Sequence, residues 1–470
     1  MLTAAFLLAI AGYGDISACT SFMLDSGHGL YFVHSLNQGD WDSVPGIICI
    51  NQRDVWKKGY SFEKLLNIQD NSAPSVIWKS QYGSVTFNPF GREFPDGGMN
   101  EAGLFIWEMS FDGTMYPGDE YKPKLFMLQW MQYVLDNYNT VGDVIENAER
   151  MAIDGWEWHF FVADKSGATA IIDFIGGKPV VYTGSDVPLP LCCNSPYPVA
   201  MNWLKQYQGF GGELEIKQDF EEIPRFIYGA KLMSEYKDQD PIKYSFDMLE
   251  AMSVNVRWSV VFDVKNSTVY YNTNLNKNIR HFKFTPKDFA FGGGPLMLNI
   301  EHPGPENIRG EFVPYNREMD RKLMHSVFLE LNKIPEFKQV IDKSGGGIDA
   351  VIENFMNKVR FARDSCDFNI EGLWKGNVSI VTGEGEYEMP VELDLRYDNS
   401  RLTGTLTGGQ QTRISPLSNV SYRGGLLYFT VLYPDTGELF DYRLHVSTDG
   451  IKGGAVKMGS NKIAYINLSR

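Results

Sequence analysis

The sequence predicts an α+β protein that ends in a separate all-β unit. Three observations carry this. Short strands open the chain, helices fill its middle and strands return by residue 272. Neighbouring strands are joined by short turns, which antiparallel sheets permit and a doubly wound parallel sheet does not. Beyond Gly372 the texture changes, and residues 391–397 and 402–406 alternate apolar and polar strictly, as in strands with one wet face.

Each element has its own signal. Thr20, Phe22 and Leu24 alternate with Ser21 and Met23, so this segment reads as a strand. Gly27-His28-Gly29 is a turn, Leu30–Val33 a second strand, and 44–51 a third. Leu125, Leu128, Met131 and Leu135 fall at helical spacing, predicting a helix over 125–138 and another over 141–152. Strands follow at 159–163, 168–174 and 179–182, then helices at 225–235 and 245–252. Residues 258–263 and 268–272 form a hairpin turning at Lys265-Asn266. The Pro- and Gly-containing stretch 301–312 is a connector. Two helices follow, at 316–333 and 347–362. The last unit has strands at 391–397, 402–406, 424–433, 440–446 and 462–468, a small barrel or sandwich.

Composition narrows the function classes. With 43 Lys+Arg against 58 Asp+Glu the net charge is −15, so nothing draws the chain to nucleic acid or anionic lipid. There is no Gly-rich phosphate loop, no dinucleotide fingerprint, no His-Glu-x-x-His and no Gly-x-Ser-x-Gly elbow. The histidines do not pair at metal-ligand spacing. No cofactor and no metal is expected. Five cysteines are too few for a disulfide scaffold, and an odd count leaves at least one thiol over.

The N-terminus singles out that thiol. Residues 2–14, LTAAFLLAIAGYG, resemble a signal-peptide core, although no Lys or Arg precedes them. The run is too short to span a bilayer, and no other stretch is long enough. Export to the periplasm or the extracellular space is expected, with 1–18 removed and Cys19 first in the mature chain. Ile16-Ser17-Ala18-Cys19 also fits a lipoprotein box, so the alternative is a lipid-anchored, non-catalytic binding protein acylated at Cys19.

Five further motifs accompany Cys19-Thr20-Ser21-Phe22. They are FVHSLNQGDW (32–41), GMNEAGL (98–104), Asn194-Ser195-Pro196, Pro224-Arg225-Phe226 and WSVVFDVKNSTVYY (258–271). In this order the chain resembles the choloylglycine hydrolase and penicillin V acylase family over about residues 19–285. The resemblance implies a four-layer αββα N-terminal nucleophile hydrolase sandwich at 19–300. Residues 301–368 are then connector and helices, and 369–470 the all-β domain. It further implies cleavage of a linear, non-peptide C–N amide in a small molecule such as a conjugated bile salt, an N-acyl amine or penicillin V. Homo-oligomerisation stays open.

The chemistry follows from cysteine coming first. A thiol must become a thiolate to attack. An α-amino group, with a pKa of about 7.7–8.0, can take the proton near neutrality, whereas a peptide nitrogen cannot. The thiolate then forms a thioester, and fixed donors stabilise the oxyanion. The resemblance assigns those donors to Asn100 and Asn194, and a positive field to Arg225. Its acidic residue falls on Asn37 in an ungapped reading, with His34 where the family carries Arg. A short insertion instead brings Asp40-Trp41 onto the family's Asp-Trp pair, and Asp40 is preferred. His159, Cys49 and the group Trp130, Met131, Tyr133 and Met151 read as core. No partner is evident for Cys366.

Overall fold

The computed structural model describes residues 19–37, 46–68, 75–117, 122–219, 221–253, 256–290, 294–358, 361–362, 370–382, 385–398, 401–408, 414–423, 426–433, 436–447, 450–458 and 463–469. Asp40, Trp41, Cys366 and the signal-like segment lie outside them.

The chain opens with β1 (Thr20–Ser26), β2 (Gly29–Asn37), β3 (Ile47–Asn51) and β4 (Trp56–Gly59), then α1 (Phe62–Leu66). Next come β5 (Val76–Lys79), β6 (Ser84–Asn88), β7 (Gly97–Asn100), β8 (Leu104–Ser110) and β9 (Lys124–Phe126). They lead into α2 (Met127–Asn137) and α3 (Val141–Asn147). Strands β10 (Ala152–Asp154), β11 (Trp158–Asp164), β12 (Thr169–Ile175), β13 (Lys178–Thr183) and β14 (Leu191–Cys192) precede α4 (Tyr197–Leu204), α5 (Glu222–Glu235) and α6 (Pro241–Met252). Strands β15 (Val256–Asp263), β16 (Thr268–Thr273), β17 (Arg280–Lys283), β18 (Leu296–Asn299) and β19 (Val313–Pro314) end the sheet region. Helices α7 (Arg317–Leu331), α8 (Pro335–Lys343) and α9 (Gly347–Lys358) and the short β20 (Phe361–Ala362) complete it.

Two sheets form the body. One has the order β14-β1-β2-β15-β16-β17, the other β13-β12-β11-β8-β7-β6-β3-β18-β19. Their pairings are antiparallel throughout. The sheets meet through aromatic side chains: Phe32 of β2 and Phe262 of β15 lie 5.3 and 5.8 Å from Phe105 of β8, centroid to centroid. Such rings fill an inter-sheet core at little entropic cost per area buried. Helix α6 packs on β1, β2 and β15, and α2 on β7 and β8. Every residue of α2 is buried, including Gln129, Gln132, Asp136 and Asn137. Its predicted apolar stripe is therefore part of an all-round burial.

The last unit is a closed barrel. Its strands are β21 (Gly372–Thr382), β22 (Gly385–Asp398), β23 (Arg401–Gly408), β24 (Ile414–Arg423), β25 (Leu426–Tyr433), β26 (Glu438–Ser447), β27 (Gly450–Lys457) and β28 (Ile463–Ser469). They pair in sequence order, and β28 pairs back onto β21. Val391, Leu393 and Leu395 are buried while Arg396 is exposed, which is the alternation a barrel wall requires.

Some boundaries differ from the sequence reading. The helix expected over 141–152 stops at Asn147, because Ala152–Asp154 pairs in parallel with Lys124–Phe126. Helix α8 and the strands β4 to β8 carry no separate expectation above. Among the described residues, no helix is long and apolar enough to cross a membrane.

Candidate functional site

Cys19 stands immediately before β1, between β14 and β2. Its side chain is buried, and its Sγ donates to the backbone oxygen of Asn37 at 3.6 Å. The β1–β14 register pairs Ser21 with Cys192 and Phe22 with Leu191. Continued outward, it sets Thr20 opposite Cys193, consistent with the 3.7 Å contact between Thr20 Oγ1 and Cys193 Sγ. The next step sets Cys19 opposite Asn194. The pleat thus brings the end of one strand to the end of its neighbour.

Asn194 is held from behind. Arg225, on α5, donates from Nη2 to Asn194 Oδ1 at 2.8 Å. Arg225 is only 1% exposed, so it is a buried cation. Fixing the amide oxygen fixes the amide nitrogen, and Nδ2 of Asn194 has no protein partner among the described residues. The same holds for the buried hydroxyl of Ser195. Buried donors without partners are rare and costly, so two in succession mark a place where something else binds.

Asn100 is differently placed. Its Nδ2 donates to Leu135 O at 2.8 Å and Tyr138 O at 2.7 Å. Its Oδ1 accepts from Ala102 N at 3.1 Å and Leu104 N at 3.0 Å. All four bonding positions of the amide are filled. The structure therefore does not bring Asn100 to Cys19 as an oxyanion donor; it ties the end of α2 to the β7–β8 turn. The rest of that motif has matching reasons. A Cβ at Gly98 would lie 2.2 Å from the backbone oxygen of Val85, and Gly103 has φ +88°. Only glycine tolerates both the approach and the left-handed backbone.

Asp40 lies outside the described residues. Asn37, the ungapped alternative, ends β2 and meets Cys19 through its carbonyl. His34 is a buried residue of β2. Its Nδ1 lies 2.8 Å from Ser21 Oγ, and its ring stacks on Trp107 at 4.3 Å. Burial pushes its pKa well below the ordinary value, so the ring is neutral.

Two acidic residues that the sequence reading passed over stand beside this group. Asp96 accepts from Trp107 Nε1 at 3.0 Å, and its Oδ2 is 4.0 Å from His34 Nε2. Glu108 is buried in β8, and its Oε2 has no partner among the described residues. Burial raises Asp96 to about 6. Burial, then Asp96, raises Glu108 well above its ordinary value. The Cys19 thiol is also pushed well up, by burial first and then by Glu108 and Asp96, while Arg225 acts the other way. In the uncut chain the thiol is protonated at neutral pH. The signal for Glu108 was a lone carboxylate inside Leu104-Phe-Ile-Trp-Glu-Met109, an otherwise apolar strand.

The residues read as core are core. His159 bonds Asp173 Oδ1 and Cys193 O, each at 2.9 Å. Cys49, Trp130, Met131, Tyr133 and Met151 are buried. Cys19, Cys49 and Cys192 are free thiols. Among the described residues, no cluster of three or more His, Cys, Asp or Glu could hold a metal ion.

Comparison with known proteins places this arrangement. Residues 19–230 match the family model "Linear amide C-N hydrolases, choloylglycine hydrolase family". A penicillin V acylase from Pectobacterium atrosepticum is 22% identical over 326 residues, covering 59% of this chain and 84% of that protein. The structure of penicillin V acylase from Agrobacterium tumefaciens superimposes with a TM-score of 0.53 at 20% identity, covering 63% of this chain and 98% of that one. That likeness is one of fold. A variant of conjugated bile acid hydrolase from Clostridium perfringens gives a TM-score of 0.48 at 18% identity, over 60% of this chain and 97% of that one.

Proposed function

We propose that this chain, whose residues 19–230 match the model of the choloylglycine hydrolase family of linear amide C–N hydrolases, acts as an exported cysteine N-terminal nucleophile enzyme, cut before Cys19. On this reading the two sheets and their flanking helices form the four-layer αββα sandwich. Hydrolysis of the Ala18–Cys19 bond frees an α-amine. The amine takes the Sγ proton, and the thiolate adds to the amide carbon of the substrate. The oxyanion receives the N–H of Asn194, and Ser195 lies next to it. Collapse expels the substrate amine, protonated from the Cys19 ammonium, and leaves a thioester. Water, deprotonated by the same α-amine, hydrolyses the thioester to release the acid and restore the thiol.

One observation carries this reading: Cys19 faces an asparagine whose oxygen is pinned by a buried arginine and whose donor is unoccupied. A structural asparagine has its bonds filled, as Asn100 has. Arg225 also draws the thiol pKa downward. The substrate class is an amide of an acyl or steroid acid. Penicillin V, glyco- and tauro-conjugated bile acids and N-acyl amino acids are the compounds to assay, by product release from the chain beginning at Cys19. Hydrolysis of at least one, abolished by Cys19→Ala, supports the proposal; hydrolysis that survives the substitution ends it. Intact mass of exported protein tests the cut itself. A free Cys19 terminus is expected, and an added diacylglycerol mass would instead favour the lipid-anchored binding protein.

A further inference from the structure

The buried acids beside Cys19 have no Lys or Arg in contact with them among the described residues. In the β7–β8 ladder Gly97 pairs with Trp107, so the next step sets Asp96 opposite Glu108. Each is 1% exposed. The groups around them are Cys19 just before β1, His34 on β2, Trp107 on β8 and Tyr116 after β8, with the charge of Arg225 on α5 also felt at Cys19. Arg225 bonds Asn194, and His34 is neutral. No cation contacts either carboxylate among the described residues, and Glu108 Oε2 accepts from nothing. A buried carboxylate without a countercharge is costly.

One charge is absent from the uncut chain and arises in the mature one. While residue 18 is attached, the nitrogen of Cys19 is a neutral amide. Hydrolysis of that peptide bond adds water across it, leaving a carboxylate on Ala18 and an amine on Cys19 that binds a proton. The family resemblance places the anion for this amine at Asn37 in an ungapped reading, where this chain has no acid, or at Asp40 after a short insertion, which lies outside the described residues. We propose that Asp96 and Glu108 supply that anion from the opposite sheet, as positioning residues for the Cys19 α-ammonium. This rests on Cys19 being the mature N-terminus. Before the cut the pair holds a proton on Glu108. After it, the amine takes that proton, and the resulting ammonium offsets one of the two carboxylates and is held beside the thiol.

The test needs no substrate. Chains beginning at residue 19 are made by removing a tag, in a Cys19→Ala background so that no thiol titrates. The rate of α-amine carbamylation by cyanate is followed by mass against pH, which reports the neutral amine. With both acids present, the midpoint is expected above the ordinary α-amino range of about 7.7–8.0. Glu108→Gln and Asp96→Asn are each expected to lower it by about one pH unit, the scale of one close opposite charge. Asp40→Asn is expected to leave it unchanged. A midpoint within or below the ordinary range with both acids present overturns the proposal, and needs no variant to fold. So does an unchanged midpoint in both acid variants, or a fall confined to Asp40→Asn. Failure of the nucleophile reading shows elsewhere, as hydrolysis of the assay amides that survives Cys19→Ala, while the midpoints still report the charge pairing.

Discussion

Two buried charge clusters lie within this sandwich, and they are built oppositely. In the first, Lys57 Nζ sits 2.9 Å from Glu93 Oε1 and 2.9 Å from Asp136 Oδ2, with Trp78 Nε1 and Gln132 Nε2 also donating to Asp136. In the second, Asp96 has one indole donor and a neutral imidazole neighbour, and Glu108 Oε2 has no partner among the described residues. Arg92 Nη2 also lies 3.7 Å from Glu93 Oε1, so the first cluster has two cations for two carboxylates and ties α2 to β4. The second is unbalanced, and it stands beside the candidate nucleophile. The difference teaches that buried charge is not in itself a mark of a site; buried charge without its complement is.

The largest expected effect lies at Cys19. Cys19→Ala should reduce amide hydrolysis at least ~10³-fold with an unchanged thermal midpoint, since the thiol makes one weak bond. Next come the two asparagines. Asn194→Ala should lower kcat roughly 10²–10³-fold with little change in KM. Asn100→Ala should instead cost about 3 kcal/mol of stability in urea unfolding, by orphaning two carbonyls and two amides. If Asn100→Ala lost kcat in the folded fraction instead, the assignment of the two residues would reverse.

The clusters themselves should then separate. Lys57→Met leaves Glu93 and Asp136 buried without their shared cation and should cost about 3–5 kcal/mol. Glu108→Gln removes an unbalanced carboxyl and should be neutral or stabilising. Equal losses would erase the distinction. The smallest effect is the pH slope in the full chain. Asp96 has a folded pKa of about 6, above its unfolded value, so protonation favours the fold. Its stabilising contribution is complete below pH 4 and is lost as pH rises through 6. Asp96→Asn should therefore flatten the fall in urea midpoint between pH 4 and 6.

Legibility in the sequence followed exposure. The barrel strands were readable because one face is wet and Glu392, Asp394 and Arg396 alternate with buried Val391, Leu393 and Leu395. Strands β6, β7 and β8 escaped because nearly every residue in them is buried, which leaves no period of two to see. At the site, Cys19, Asn194 and Arg225 were legible as residues in order. The difference between Asn194 and Asn100 was not, because both sit in Asn-containing loops and only their bonding separates them. The acid pair is a product of cross-strand register, which no local spacing encodes.

The join between sandwich and barrel bears on how the enzyme can be dissected. Strand β20 pairs with β4, and β26 lies against β5. Trp56 stacks on Tyr422 at 6.4 Å, and the Arg150 guanidinium sits 5.0 Å over the Tyr428 ring. The barrel has no open edge to offer, so it covers this region with its outer wall. A chain cut near residue 368 would leave Trp56 and the outer side of β5 uncovered. Such a fragment would be sticky before it was informative, and its poor solubility would say nothing about the chemistry at Cys19.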